Sequence, residues 1–229
     1  MLFNIFRSGG DFKIKITTAI FSIIIVVFSL TIHEVSHGLM ALALGDTTAK
    51  DRGRLTLNPL KHLNPIGTIM MLLFGFGYAE PVPINPARFK HRKGGMALTA
   101  LAGPLSNLIL SFIACIVLVI ESKENVQLIG GTIYYESTAS LLIYYFFYYM
   151  HIMNLYLAIF NLIPIPPLDG SRILFIFLPA DKYFKVMRYE QYLMIGLIAL
   201  LYFGVLDGPL SFITTSISNG MSNLIGLVI

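Results

Sequence analysis

Long uncharged apolar runs, broken by short polar stretches, set the plan of this chain. Lipid offers backbone groups no partner outside the segment itself, so about 20 consecutive apolar residues read as one spanning helix. Residues 16–32 carry no charge, and the helical pattern continues through His33–His37 to Leu44, where Gly45 can end it. Residues 95–120 form a second uncharged run. Residues 137–168 form the third and longest, but Pro164, Pro166 and Pro167 must stop its helix near Ile163. Residues 191–206 and 208–229 are the fourth and fifth, separated by the turn-like Asp207-Gly208-Pro209. Residues 66–79 are apolar too, but short and interrupted by Gly75 and Gly77, which suits a re-entrant or interfacial β-like segment near 66–86 better than a sixth span. The pattern predicts an α-helical polytopic membrane protein with about five transmembrane helices.

Composition agrees. Of 229 residues, 56% are hydrophobic and 12% charged, with a mean hydropathy of +0.76. A soluble domain carries about 25% charged residues, so a soluble enzyme and a disordered chain are both excluded. The one cysteine, Cys115, excludes an intrachain disulfide. A net charge of +4 is too small and scattered for nucleic acid, but its placement sets topology. Residues 45–94 hold Lys50, Arg52, Arg54, Lys61, Arg88, Lys90, Arg92 and Lys93, and residues 164–190 hold Arg172, Lys182, Lys185 and Arg188. The loop between the second and third spans has Lys123 against Glu121, Glu124 and Glu136. The positive-inside rule places the two basic stretches in the cytoplasm and the carboxyl terminus inside. Arg7, Lys13 and Lys15 argue against the outside amino terminus that alternation requires. The expected organisation is one membrane-embedded domain over 1–229, with a core at about 14–175 and two further carboxyl-terminal helices at 191–229. Its expected partner from composition is the bilayer; the sequence leaves oligomeric state open.

Inside the first span sits His33-Glu34-Val35-Ser36-His37. Ionisable groups within a membrane helix are costly and mark functional sites by default. Residues i and i+4 share a helix face, so both imidazoles can reach one zinc ion. Glu34 then stands beside the ion as a base for the attacking water. Composition alone yields such a match about three times in a thousand chains. A catalytic zinc needs a third protein ligand. Asp169, His151, Glu80, His62 and His91 are available. Asp169 follows the proline-broken end of the third span, where irregular backbone at membrane depth must line a protein-enclosed cavity; His151, mid-span, is the second choice. Asn161 is the candidate oxyanion donor, because its amide lies one short segment from Asp169. The stretch from Gly75 to Pro86 alternates small and apolar residues, and Pro81, Pro83 and Pro86 confine it to a sheet edge. Gly77 and Pro81 mark where an unwound substrate could pair by its main chain.

Two motifs in this order, His33-Glu-Val-Ser-His37 and Asn161-Leu-Ile-Pro164…Leu168-Asp169-Gly170, resemble those of the site-2 protease family of intramembrane zinc metalloproteases. Gly53-Arg-Leu-Thr-Leu-Asn58-Pro59, Gly75-Phe-Gly77-Tyr-Ala-Glu-Pro81 and Ala102-Gly103-Pro104-Leu-Ser-Asn107 extend the likeness over about residues 30–175. The resemblance implies that His33, His37 and Asp169 bind Zn2+ and that Glu34 is the general base. It also implies a three-helix catalytic core, an active site toward the cytoplasmic face, and cleavage of peptide bonds within or near transmembrane segments. At ~1.5 Å per residue Glu34 lies ~16 Å from Gly45, below the membrane surface. The chain's small size is compatible with a prokaryotic inner membrane. The rival reading is a metal-binding membrane transporter or sensor without proteolytic activity.

Overall fold

The computed structural model describes residues 12–74, 79–129, 132–174 and 176–228. Among the described residues, three helices are long and apolar enough to cross a membrane: α1 (Phe12–Ala43), α4 (Arg92–Glu124) and α5 (Thr138–Asn161). They pack on one another to make the core. Ile25 of α1, Ala114 of α4 and Met150 of α5 meet in one cluster, and Val26 and Leu30 of α1 meet Leu63, Ala79 and Met153 in another. The outward stripe of α1 (Ile16, Ile20, Ile24 and Phe28) is exposed at intervals of four residues, as are Leu101, Leu105, Ile109 and Ile113 on α4. Apolar stripes of that extent on one molecule need lipid against them. This is a helical membrane protein.

Between α1 and α4 the chain forms two short helices, α2 (Thr48–Asp51) and α3 (Pro65–Phe74), with 3-10 turns at Pro59–Lys61 and Pro86–Arg88. The re-entrant segment is therefore helical over its first part. Residues 79–85 are neither helix nor strand, and Pro81 and Pro83 withhold N–H donors from any pairing there. Gly77 lies outside the described residues. The one sheet described is an antiparallel hairpin, β1 (Val126–Ile129) and β2 (Thr132–Tyr135), in the loop before α5, with Val126 opposite Tyr135. Its Tyr135 ring lies 5.5 Å from that of Tyr144.

The third span ends at Asn161, three residues before Pro164, and after the irregular turn α6 (Asp169–Leu174) docks on α4. Then come α7 (Ala180–Met187), α8 (Glu190–Tyr202) and α9 (Asp207–Gly226). The last two differ from the two separate spans expected. They bend by 78° at a short break where Gly204 has a positive φ of 68°, and together make one broken span or a re-entrant loop. The 13 residues of α8 cover ~20 Å, short of the ~30 Å hydrocarbon core. With three full-length helices and this bent pair, the described residues hold fewer spans than five.

Candidate metal centre

The two histidines of α1 stack one turn apart, with His33 Nε2 and His37 Nε2 separated by 3.1 Å. Asp169, the first residue of α6, brings Oδ2 to 3.1 Å from the former and 3.2 Å from the latter. Both histidines are buried and the Asp169 side chain is 14% exposed. A 136-residue separation thus closes into a triangle of three ligand-type atoms.

The other ring nitrogens decide what this triangle can hold. His33 Nδ1 lies 2.6 Å from Asn107 Oδ1 on α4, and Asn107 Nδ2 in turn donates to Asn154 Oδ1 on α5 at 2.9 Å. His37 Nδ1 lies 2.7 Å from the Thr99 carbonyl. Oxygen acceptors at both positions require the proton on Nδ1, so each neutral imidazole turns a lone pair inward at Nε2. Two lone pairs and a carboxylate oxygen then face one another, and a metal cation between them satisfies all three at once. Zinc–ligand bonds of 2.0–2.2 Å in tetrahedral array put neighbouring donor atoms ~3.3–3.6 Å apart, close to the spacings here. The donor set, its separations and its fixed tautomers fit zinc.

Two glycines make the approach possible. A Cβ on Gly103 of α4 would stand 2.5 Å from His37 Nε2 and 2.6 Å from His33 Cε1, so α4 can pass this close to both rings only without a side chain. A Cβ on Gly170 would stand 2.2 Å from the Leu162 carbonyl oxygen; its absence lets α6 fold back against the end of α5 and aim Asp169 inward. Pro104 withholds an N–H from the Ala100 carbonyl, in the same stretch of α4 that lends the Thr99 carbonyl to His37.

Glu34 is 8% exposed, and its Oε2 accepts the Val82 N–H at 2.9 Å. That donor belongs to the segment 79–85, which is strapped down along its length. Arg54 Nη2 donates to the carbonyls of Glu80 at 2.8 Å and Pro81 at 3.3 Å. The Glu80 N–H donates to the His62 carbonyl at 2.7 Å, and the Asn85 N–H to Asp46 Oδ2 at 2.6 Å. Burial works to raise the Asp46 carboxyl. The Thr48 hydroxyl, the Asn85 and Thr48 N–H groups and Arg88 outweigh it and hold the group below its ordinary 3.8.

Glu34, Val82 and the His-His-Asp triangle face a cavity of about 670 Å³. One end holds His33, Glu34, His37 and Asp169; its walls are apolar, among them Leu30, Val82, Met153 and Phe160. Pro81 and Asn161 line it, but Asn161 Nδ2 donates to the Leu157 carbonyl at 3.0 Å, so one of its two N–H groups is already engaged. The remaining third-ligand candidates lie elsewhere. His151 is held between α4 and α9, with Nδ1 2.8 Å from Ser111 Oγ and Nε2 2.8 Å from Ser218 Oγ. His62 Nε2 donates to the Thr56 carbonyl at 2.8 Å, and Glu80 and His91 are exposed. The sequence does not mark Asn107 and Asn154 as supports of the His33 ring. The signal it had was a pair of carboxamides inside apolar spans, which lipid penalises unless each finds a partner.

The peptidase family M50 profile matches residues 21–204. YwhC of Bacillus subtilis (strain 168), which carries the name of a zinc metalloprotease, is 40% identical over 170 residues, 74% of each chain. MJ0611 of Methanocaldococcus jannaschii, similarly named, is 30% identical over 160 residues, 70% of this chain and 72% of its own. Rip2 of Mycolicibacterium smegmatis is 28% identical over 147 residues, 62% of this chain and 51% of its own. No solved structure matches. The buried His-His-Asp triangle, built to take a cation, and these likenesses agree: the chain belongs to peptidase family M50, the site-2 protease family, and is a zinc metalloprotease.

Proposed function

We propose that this protein is an intramembrane endopeptidase that hydrolyses peptide bonds within or near transmembrane segments of other proteins, in the manner of regulated intramembrane proteolysis. His33, His37 and Asp169 hold the zinc and Glu34 is the general base. The observation that carries this is the position of the triangle. Its two histidines lie within an apolar spanning helix, and the site opens on an apolar cavity large enough to receive an unwound peptide. Zinc bound there supplies Lewis-acid polarisation and makes a water acidic enough to lose a proton near neutral pH.

The chain's own groups do the rest. Val82 N–H fixes one oxygen of Glu34, and the other has no protein partner among the described residues. That oxygen takes the proton of the attacking water and later returns it to the leaving amine nitrogen. Asn107 and the Thr99 carbonyl hold both imidazoles in one tautomer throughout. The apolar walls exclude bulk water while the peptide is bound. The basic stretches 45–94 and 164–190 support a mouth on the cytoplasmic face of a multi-pass protein, compatible with a prokaryotic inner membrane.

The test is reconstitution in liposomes with a single-pass test substrate. Wild type should cut it, and Glu34→Gln should lose 10²–10⁴-fold in rate with zinc content unchanged. Equal cleavage by the two would overturn the mechanism. Zinc flux with no cleavage would instead favour the transporter reading.

A further inference from the structure

Apart from Tyr156, six ionisable side chains line the cavity. Four belong to the site described; Arg172 and Glu190 do not. Arg172 is on α6, three residues after Asp169, so the two share a helix face and their Cβ atoms are roughly 5–6 Å apart. It is half-buried and has neither a hydrogen bond nor an ion pair among the described residues; Glu190, on the wall formed by α8, is beyond ion-pair reach. A guanidinium has five N–H donors and no acceptor, and its planar fork matches a carboxylate at two points. A half-buried cation without a partner is a cost to the folded protein unless something entering the cavity satisfies it.

Resting on the protease reading above, we infer that Arg172 is a specificity determinant that receives an acidic side chain of the substrate. That acid lies on the flank of the scissile bond leaving the cavity past α6, the cytoplasmic flank in the topology proposed. Extended peptide advances ~3.3 Å per residue, so the acid is roughly two to four residues from the bond cut. The partner chemistry is a carboxylate because Arg172 combines a fixed positive charge with a planar fork of donors. A basic residue there faces an unpaired cation at close range, so the site selects against it as well.

The experiment uses full-length protein in nanodiscs and single-pass substrates bearing Glu, Gln or Lys at the second, third or fourth position on that flank. Two readouts are taken: cleavage by wild type, and binding of fluorescent substrate to Glu34→Gln, which needs no catalysis. Wild-type Arg172 should favour Glu over Lys about tenfold in both. Arg172→Gln should flatten the preference and Arg172→Glu should reverse it, with the Gln substrate showing that each variant still binds. A charge preference unchanged in Arg172→Glu overturns the inference. An Arg172 effect that follows the anionic-lipid content of the nanodisc, and not the substrate's charge, overturns it in favour of headgroup binding. Charge-selective binding with no cleavage by wild type supports Arg172's role and overturns the protease reading instead.

Discussion

His33 Nδ1 lies 2.6 Å from Asn107 Oδ1, and through Asn107 Nδ2 the contact continues to Asn154, so one imidazole of the metal triangle is oriented from two other helices at once. Groups that hold a ligating histidine by its second nitrogen fix both tautomer and ring plane, and losing them costs metal affinity roughly 10–100-fold. Asn107→Ala should therefore weaken zinc binding by that factor while His33 itself remains. Asn107→Asp keeps an oxygen acceptor at the same distance and should lose much less. Competition with a fluorescent zinc chelator measures both. Equal affinities for wild type and Asn107→Ala would show that the ring is held by packing alone.

Gly103→Ala tests the same site by volume. The added methyl would stand 2.5 Å from His37 Nε2, and α4 and α1 cannot both keep their places around it. Over-packing of this kind costs about 1–3 kcal/mol where the surroundings can shift. Here the shift falls on the two ligand rings. The variant should fold with its helical circular dichroism intact and lose most of its zinc, as metal analysis would reveal. Full zinc content would mean that the helices separate without disturbing the triangle.

What the sequence discloses follows from how local each feature is. His33 and His37 are legible because i and i+4 on one helix are neighbours whatever the rest of the chain does. The helix stop at Asn161 is legible because Pro164, Pro166 and Pro167 withhold donors by covalent structure. Asp169 is legible as a carboxylate beside broken backbone at membrane depth, and the motif resemblance ranks it above His151. Asn107, Asn154 and Thr99 are not legible as supports of the rings. Their partners are 74, 47 and 62 residues away, and nothing local sets that pairing. The bend between α8 and α9 escapes for another reason: hydropathy records that residues 191–229 are apolar, not in which direction each half runs.

Asp46 predicts a pH dependence. Its carboxylate anchors Asn85, and so the far end of the strap whose Val82 holds Glu34. Its native pKa lies below the ordinary 3.8, so the charged form contributes stability above about pH 4, lost as pH falls through the depressed value. Asp46→Asn should be less stable than wild type at pH 7 by about 1–3 kcal/mol. That gap should narrow on acidification toward pH 3, as paired melting curves in one detergent would record. A gap of constant size would assign the effect to the lost acceptor geometry and not to charge.

His151 separates structural from metal-binding histidines. It ties α5 to Ser111 of α4 and Ser218 of α9, and one turn further along Cys115 Sγ lies 3.4 Å from Ser222 Oγ. This polar seam fastens the carboxyl-terminal helix to the core in a region where lipid offers no competing partner. Interhelical hydrogen bonds inside membranes contribute about 0.6–2 kcal/mol each. His151→Leu removes the contacts to Ser111 and Ser218 together and should destabilise the protein by about 1–3 kcal/mol, while Ser218→Ala costs roughly half as much. Neither should change zinc content, because no atom of His151 belongs to the triangle of His33, His37 and Asp169. Asp169→Ala, measured beside them, should lose the metal. A zinc-free His151→Leu with a zinc-loaded Asp169→Ala would exchange the two residues' roles and overturn the site as assigned.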